Sequence, residues 1–272
     1  MTFIACETID AARVIRLGAD GGIFLTQGLC EALEAALRAA AEDPAVHVVV
    51  ITGANAGVFM RHYSVAEILA LSAALRAGGM KPGDPSPPHA DAPIDRCIAL
   101  CETMPKPVIA ALNGECMGGA MELALGCDIR IAQSGDFRLG QPETMLGILP
   151  GAGGTQRLAR AIGHAQAMAH ALLGLPITPA EAHRIGLVHA LAEDALAAAL
   201  AHAQHLQRIP APALAHVKRL VHDSQTTPLA EGLKRERALF LDLAIRPESV
   251  ALMEAYEAGA HPLSRPVPPA NA

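Results

Sequence analysis

PKPVIAALNGECMGGAMELALGCDIRIAQSGDFRLGQPETMLGILPGAGGTQRLARAIG, Pro105–Gly163, is the stretch that decides how this chain is read. Pro107–Leu112 is a short apolar run, the pattern of a buried strand, and it runs into Asn113-Gly114. A loop follows, and then Gly118-Gly119 opens a short helix over Gly119–Leu125. The first N–H groups of a helix have no intrahelical acceptor, and with the helix dipole they favour negative charge. Gly119 has no side chain, so a ligand can approach that backbone closely. Glu122 follows in the first turn of the same helix. Asp128–Ala132 reads as another short strand, DFRLG is strand-like, and the QPE turn after it brings Glu143. If the two segments lie side by side, an oxyanion-type donor faces two carboxylates. Such a set suits enolate formation beside a carbonyl and proton movement on and off carbon. Each piece also has an ordinary reading: Glu122 as a capping glutamate, Glu143 as an exposed turn residue after Pro142, and Gly118-Gly119 as a plain turn.

Outward from this stretch, the first half alternates. Arg13–Leu17 reads as a strand, Leu29–Ala41 as a helix, and Ala45–Thr52 (AVHVVVIT) as a buried strand. Val65–Leu75 and Ala92–Thr103 read as helices, separated by the Pro- and Gly-rich loop AGGMKPGDPSPPHA, a candidate entrance or lid. Strands alternating with helices imply crossovers and a largely parallel sheet, hence an α/β fold. After Gly153 the chain is mostly helical, with one short apolar piece at Gly186–Ala192. Thr178-Pro179-Ala180-Glu181 is a capping box with proline at the first helical position. Ala195 to Tyr256 reads as three or four alanine-rich helices, and the tail HPLSRPVPPANA as frayed. Residues 1–200 are assigned to a core and residues 201–272 to a C-terminal helical region. Alanine-rich helices bury well in tight contacts, which favours an oligomer.

Length and composition exclude several classes. The chain has 272 residues, 51% hydrophobic and 18% charged, with a formal net charge of −6. An acidic balance argues against a nucleic-acid coat, and with no Trp, 2 Tyr and 5 Phe there is little for bases to stack on. No apolar run has membrane-spanning length, and the start MTFIACETID lacks the basic flank of a signal peptide. Six cysteines in such a chain are expected to be reduced and buried, in the cytoplasm, with no metal site. PGAGGTQ at 150–156 is not a nucleotide P-loop, and neither HExxH nor GxSxG occurs.

KPVIAALNG, the Gly118–Ala124 helix start, CDIRIA, GQPE and LGILPGAGGTQRLARAIG together resemble the enoyl-CoA hydratase/isomerase (crotonase) family. LLGLPITPAEAHRIGLVHAL and AVHVVVITGANAGVF extend the resemblance over about residues 11–245. It implies a spiral of ββα turns with a helical C-terminal oligomerisation region that builds homotrimers or homohexamers. It also implies an acyl-CoA thioester substrate and no cofactor, coenzyme A being part of the substrate. Matched residue by residue, two backbone N–H groups, of Gly119 and Tyr63, hold the thioester oxygen. Glu122 and Glu143 match the two catalytic carboxylates, and Gly118 and Gly151 match positions that line the pocket. The implied reaction is hydration of a 2-enoyl-CoA to a 3-hydroxyacyl-CoA. Alternatives on the same scaffold are a double-bond isomerase, a thioester hydrolase, a C–C lyase or a non-catalytic acyl-CoA binder.

The sequence departs from the family in the loop after Phe59. Small residues are usual there, but this chain has Met60-Arg61-His62-Tyr63-Ser64. If the usual glycine sits at positive φ, His62 is strained. His62 and Arg61 are expected to touch substrate or coenzyme. Ser64-Val65-Ala66-Glu67 still reads as a capping box. The basic pair usual near the C-terminus is missing, leaving Lys218 and Lys234 as possible coenzyme contacts.

Overall fold

The computed structural model describes residues 3–84 and 92–264. Residues 85–91, which include most of the proline-rich part of the proposed lid, and the tail from 265 lie outside the described residues. The chain forms two compact units, Met1–Gln207 and Arg208–Ala272.

In the first unit, strands leave one sheet and immediately enter another. The elements in chain order are β1 (Ile4–Ile9), β2 (Ala12–Leu17), α1 (Gln27–Glu42), β3 (Val48–Gly53), β4 (Gly57–Met60), α2 (Val65–Ala77), α3 (Pro93–Thr103), β5 (Val108–Leu112) and β6 (Gly114–Met117). They continue with α4 (Gly119–Leu125), β7 (Ile129–Gln133), β8 (Leu139–Gly140), α5 (Gly154–Ile162), α6 (His164–Leu173), α7 (Pro179–Arg184), β9 (Ala190–Ala192) and α8 (Ala195–Leu206). One sheet has the order β1-β2-β3-β5-β7-β9 and the other β4-β6-β8. Among the described residues β1 is the one strand that pairs antiparallel with a neighbouring strand, β2; the other strand pairs are parallel. Each of β3–β4, β5–β6 and β7–β8 therefore takes one step along both sheets, which is the spiral of ββα turns.

β3 explains why AVHVVVIT is mostly apolar, with the buried Thr52 satisfied by donating to Ala111 O. Val49 and Ile51 join the core that holds Leu33 and Leu37 of α1 and Cys97 and Ile98 of α3. Val48 and Val50 face the other way, into a second core closed by Ala195, Ala199 and Ala203 of α8. Both faces of the parallel sheet are covered, so no position on the strand can be polar without cost. The i, i+4 alanines let α8 approach closely, and α8 thereby belongs to the first unit up to Gln207.

The transfer between sheets is tight. The Asn113 side chain accepts from Gly53 N (2.9 Å) and donates to Asn55 O (3.0 Å), tying the ends of β3 and β5 together. A Cβ at Gly114 would fall 1.8 Å from the Gly57 carbonyl carbon, so the Leu-Asn-Gly signal is a steric requirement of the crossing. β3 begins at Val48, three residues beyond the expected start, because Asp43–Val46 forms a turn closed by Val46 N to Asp43 O. The short strands β1, β4 and β6 were not anticipated from sequence.

Five cysteines are buried and outside any disulfide, but Cys6 is exposed, contrary to expectation. It lies on edge strand β1, whose residues are mostly exposed. The second unit holds α9 (Ala211–Asp223), α10 (Leu229–Ala244) and α11 (Pro247–Glu257). Lys218 is on α9 and Lys234 on α10.

Candidate active site

The site grows from two turns that follow strands of the small sheet. After β6 the chain turns at Gly118, at φ +54, and enters α4 at Gly119. After β4 it runs through Arg61–Ser64 into α2. The second turn is threaded beside Leu25: Leu25 N donates to His62 O (2.9 Å) and Ser64 N to Leu25 O (2.7 Å). That pairing uses His62 O and Ser64 N and leaves the Tyr63 N–H facing the other way. A Cβ placed on Gly119 would lie 3.6 Å from Tyr63 N, 3.1 Å from Tyr63 Cβ and 3.3 Å from Ile94 Cδ1. The two turns are thus in contact, and among the described residues neither the Tyr63 nor the Gly119 amide donates to an internal backbone acceptor.

Glu122 stands one turn along α4 and is 3% exposed. Its Oε1 accepts from Ala152 N and Gly154 N, both at 2.7 Å. Burial raises its pKa above the ordinary carboxylate range, and these two amides and the Arg157 guanidinium offset only part of that rise. Arg157 is itself fixed, donating to both oxygens of Glu102 (2.6 and 3.0 Å) and to Ala152 O (2.9 Å). Gly153, at φ +91, makes room for it: a Cβ there would sit 2.0 Å from Arg157 Nη1.

Glu143 opens a 3₁₀ turn, Glu143–Leu146, after β8. Its Oε1 lies 2.9 Å from where a Gly118 Cβ would be, which brings it to the foot of α4. With its amide turned so that the nitrogen faces Glu143, Gln141 donates to both carboxylate oxygens, at 3.1 and 3.0 Å. Burial, with the charge of Glu122 adding to it, pushes its pKa up to about 7. Desolvation therefore leads at both carboxylates, but at Glu122 two amides and a nearby cation work against it, whereas at Glu143 the charge of Glu122 adds to it.

Of the residues expected from sequence, Gly118, Gly119, Tyr63, Glu122, Glu143 and His62 come together. His62 Cβ is 3.4 Å from the Gly118 Cβ position, and its ring meets Phe24 at 4.8 Å between centroids. His62 is not strained: Asp10 is the one non-glycine at positive φ among the described residues. Gly151 borders open space. Arg61 turns elsewhere, its Nε donating to Glu115 Oε2 (2.7 Å), a carboxylate shared with Arg138. Ser64 caps α2 by accepting from Glu67 N (3.3 Å), but Glu67 does not return the bond, because Ser64 N is already committed to Leu25 O. Sequence reasoning missed Gln141, Arg157 and the amides of Ala152 and Gly154; the glycine run PGAGG beside Thr-Gln-Arg was the available signal.

A family model described as enoyl-CoA hydratase/isomerase matches residues 24–256. The chain belongs to the enoyl-CoA hydratase/isomerase family. The resemblance read from Pro105–Gly163 is thereby borne out. A Mycobacterium leprae protein named a probable enoyl-CoA hydratase is 44% identical over 152 residues, 55% of this chain and 59% of that one. The chain likewise spans 60% of a Rhizobium meliloti relative. The 2,3-dehydroadipyl-CoA hydratase of Escherichia coli K12 is 37% identical over 210 residues, 76% of each chain. The crystal structure of an enoyl-CoA hydratase from Bacillus anthracis superposes with a TM-score of 0.81 at 27% identity, covering 96% of this chain and 98% of that one. The crotonase fold extends across the chain. Among the described residues no helix is long and apolar enough to cross a membrane.

Proposed function

We propose that the protein hydrates a 2-enoyl-CoA thioester to a 3-hydroxyacyl-CoA. The observation that carries this reading is the split between the two glutamates beside a pair of unused amides. Two carboxylates whose surroundings push their pKa values apart are suited to act as base and acid in one reaction. Burial raises both carboxyls, but at Glu122 two amides and Arg157 offset part of the rise, so we assign Glu122 to take a proton from water as the oxygen attacks the β-carbon. Glu143 keeps its proton to about pH 7 and delivers it to the α-carbon. The negative charge that builds on the thioester oxygen meets the N–H groups of Tyr63 and Gly119. Preorganised donors of that kind are each worth about 10²–10³ in rate. Water supplies both the hydroxyl and the hydrogen of the product, and exchange between the two glutamates and solvent restores the starting protonation. The chemistry balances without a metal or redox group, so we assign no cofactor.

Catalysis as base and acid gives a bell-shaped pH profile. Activity falls on the acid side as Glu122 is protonated and on the alkaline side, above about pH 7, as Glu143 loses its proton. The family names and the M. leprae and E. coli relatives support the thioester substrate. We further assign the protein to the cytoplasm, which its buried cysteines outside any disulfide favour, as a homotrimer or homohexamer.

The test is loss of the conjugated-thioester absorbance of crotonyl-CoA, and of a longer 2-enoyl-CoA, on adding the protein. Glu122→Gln should harm hydration far more than isomerisation of a 3-enoyl-CoA. Equal, small losses in both reactions would remove this assignment of roles. Thermal stabilisation by acyl-CoA without turnover would identify a binder instead.

A further inference from the structure

The His62 ring is fixed at two points. Its Nδ1 lies 2.7 Å from Tyr63 O, and the ring meets that of Phe24 at 4.8 Å between centroids, tilted by 47°. A main-chain carbonyl only accepts, so Nδ1 carries the hydrogen, and the neutral imidazole presents Nε2 as an acceptor. Among the described residues Nε2 has no hydrogen-bond partner. It is not sealed off either: the unpaired side-chain polar atom buried among those residues is Nδ1 of His47. One oriented acceptor therefore stands open beside the Gly118 turn.

Its place along the ligand follows from the two glutamates. A Cβ on Gly154 would meet Glu122 Oε1 at 3.0 Å, whereas a Cβ on Gly118 would meet Glu143 Oε1 at 2.9 Å and His62 Cβ at 3.4 Å. His62 thus belongs to the Glu143 end of the pair, and the residue after it carries one of the amides assigned to the thioester oxygen. With Glu122 at the β-carbon, Glu143 at the α-carbon and the two amides at the carbonyl, the next ligand atom in line is the sulfur. The imidazole runs from this end of the site to Phe24, which is 37% exposed, so this edge opens to solvent.

After the sulfur, a coenzyme A thioester has two methylenes and then an amide N–H. We propose that His62 is a specificity-determining residue: Nε2 accepts from the amide nearest the thioester sulfur, while the imidazole and Phe24 cover the methylenes before it. This rests on the reading of the site as a thioester site and extends it from the acyl group to the thiol arm. A fixed acceptor at that position selects thiols that offer a donor. It also gives the departure from small residues in this loop a use, since glycine or alanine has no side chain that could reach the arm.

Two short thioesters test the contact with the full-length protein. S-Crotonyl-N-acetylcysteamine carries the amide; in S-(2-acetoxyethyl) thiocrotonate an ester oxygen replaces the N–H. The wild type should favour the amide about tenfold in kcat/KM, the scale of one hydrogen bond lost with its acceptor left unpaired. The difference should lie in KM, because the contact is the same in the ground and transition states. His62→Ala should use the two thioesters within about threefold of each other. His62→Asn, whose amide nitrogen can keep the bond to Tyr63 O but which has nothing at the place of Nε2, should behave like His62→Ala. A wild type indifferent to the replacement, a preference carried by kcat, or a preference retained in either variant overturns the contact.

Binding separates this inference from the reading beneath it. The S-butyryl thioesters of the same two thiols have no double bond to hydrate, and their Kd values can be compared by ligand-observed NMR. If the wild type hydrates no crotonyl thioester, hydration is the wrong reaction, and a tenfold tighter Kd for the amide that disappears in His62→Ala still supports the contact. If it hydrates crotonyl-CoA but binds the two butyryl thioesters equally, the contact falls and the reaction stands. If it neither hydrates nor binds any of them, both fall.

Discussion

The two turns that carry the candidate donors solve the same problem with opposite residues. After β6, Gly118 sits at φ +54 with Glu143 Oε1 2.9 Å from where its Cβ would be, so glycine is imposed by both backbone and space. After β4, His62 and Tyr63 hold equivalent ground with ordinary backbone angles: Leu25 pairs with the peptides on both sides of Tyr63, and the His62 ring packs against Phe24. The difference shows what constrains a main-chain donor. The amide needs a direction, and that can come either from a glycine turn packed on a carboxylate or from backbone pairing that fixes the peptides around it. Sequence departure in such a loop is therefore weak evidence of lost chemistry.

If the glycine turn is the rigid partner, breaking it should have the largest effect. Gly118→Ala forces an L side chain into left-handed backbone and pushes Glu143 aside. We expect kcat for crotonyl-CoA to fall by more than about 10³-fold, the scale of losing a donor and displacing an acid together, with a stability cost of about 1–3 kcal/mol. A variant retaining a tenth of wild-type activity would show that the turn is more pliant than its contacts indicate. Glu143→Gln comes next, with kcat lower by about 10²–10⁴-fold. Its stability should move the other way. The folded-state pKa, about 7, lies above the 4.5 of an ordinary glutamate, so stability is fully present below about 4.5 and is lost as pH rises toward 7. Removing the carboxylate should therefore raise the melting temperature at pH 8 by on the order of 2–4 °C, as about 1 kcal/mol does in a chain this long, and leave it unchanged at pH 4.

The sequence was most legible where local pattern and global fold coincide. AVHVVVIT, PVIAAL and the GGAME helix start each carry their structure in their own residues, and the alternation of strands and helices was enough for a parallel α/β sheet. The second sheet was legible only through family resemblance. β4 and β6 have four residues each and β8 has two, and all three contain glycine, so no periodicity can develop. The two glutamates are 21 positions apart, and only the return through β7 and β8 brings them together. Gln27 and Glu67 are separated by 40 positions, Glu102 and Arg157 by 55, and no spacing rule reaches such pairs. Cys6 was misread because apolar composition alone does not distinguish an edge strand from a buried one.

The Arg157 pair gives a prediction of intermediate size on the glycine-turn side. Arg157 holds the Ala152 peptide by its oxygen while the nitrogen of the same residue donates to Glu122, and its charge helps to keep Glu122 ionised. In Arg157→Met the Glu122 pKa should rise, so the acid limb of the pH profile moves to higher pH. Activity at pH 6 should drop about tenfold and at pH 8 by much less. Leaving Glu102 without its partner should also cost about 1–3 kcal/mol. A uniform loss at all pH values would mean that Arg157 acts on the shape of the PGAGG loop and not on the charge of Glu122.

The smallest effect is expected from restoring glycine to the other turn. His62→Gly puts the family's usual residue where this chain has none, and a reading from sequence alone would expect improvement. The structure argues otherwise. His62 is not at positive φ, so glycine relieves nothing; it adds freedom to the unfolded chain, costing about 0.5–1 kcal/mol, and removes the ring contact with Phe24, worth about 0.5–1.5 kcal/mol. The melting temperature should fall by a few degrees. Activity should stay within about fivefold, because the Leu25 pairing still orients the donor. A gain of tenfold or more in kcat would mean that the imidazole obstructs the acyl group, and the two turns would then differ in substrate access as well as in how they are held.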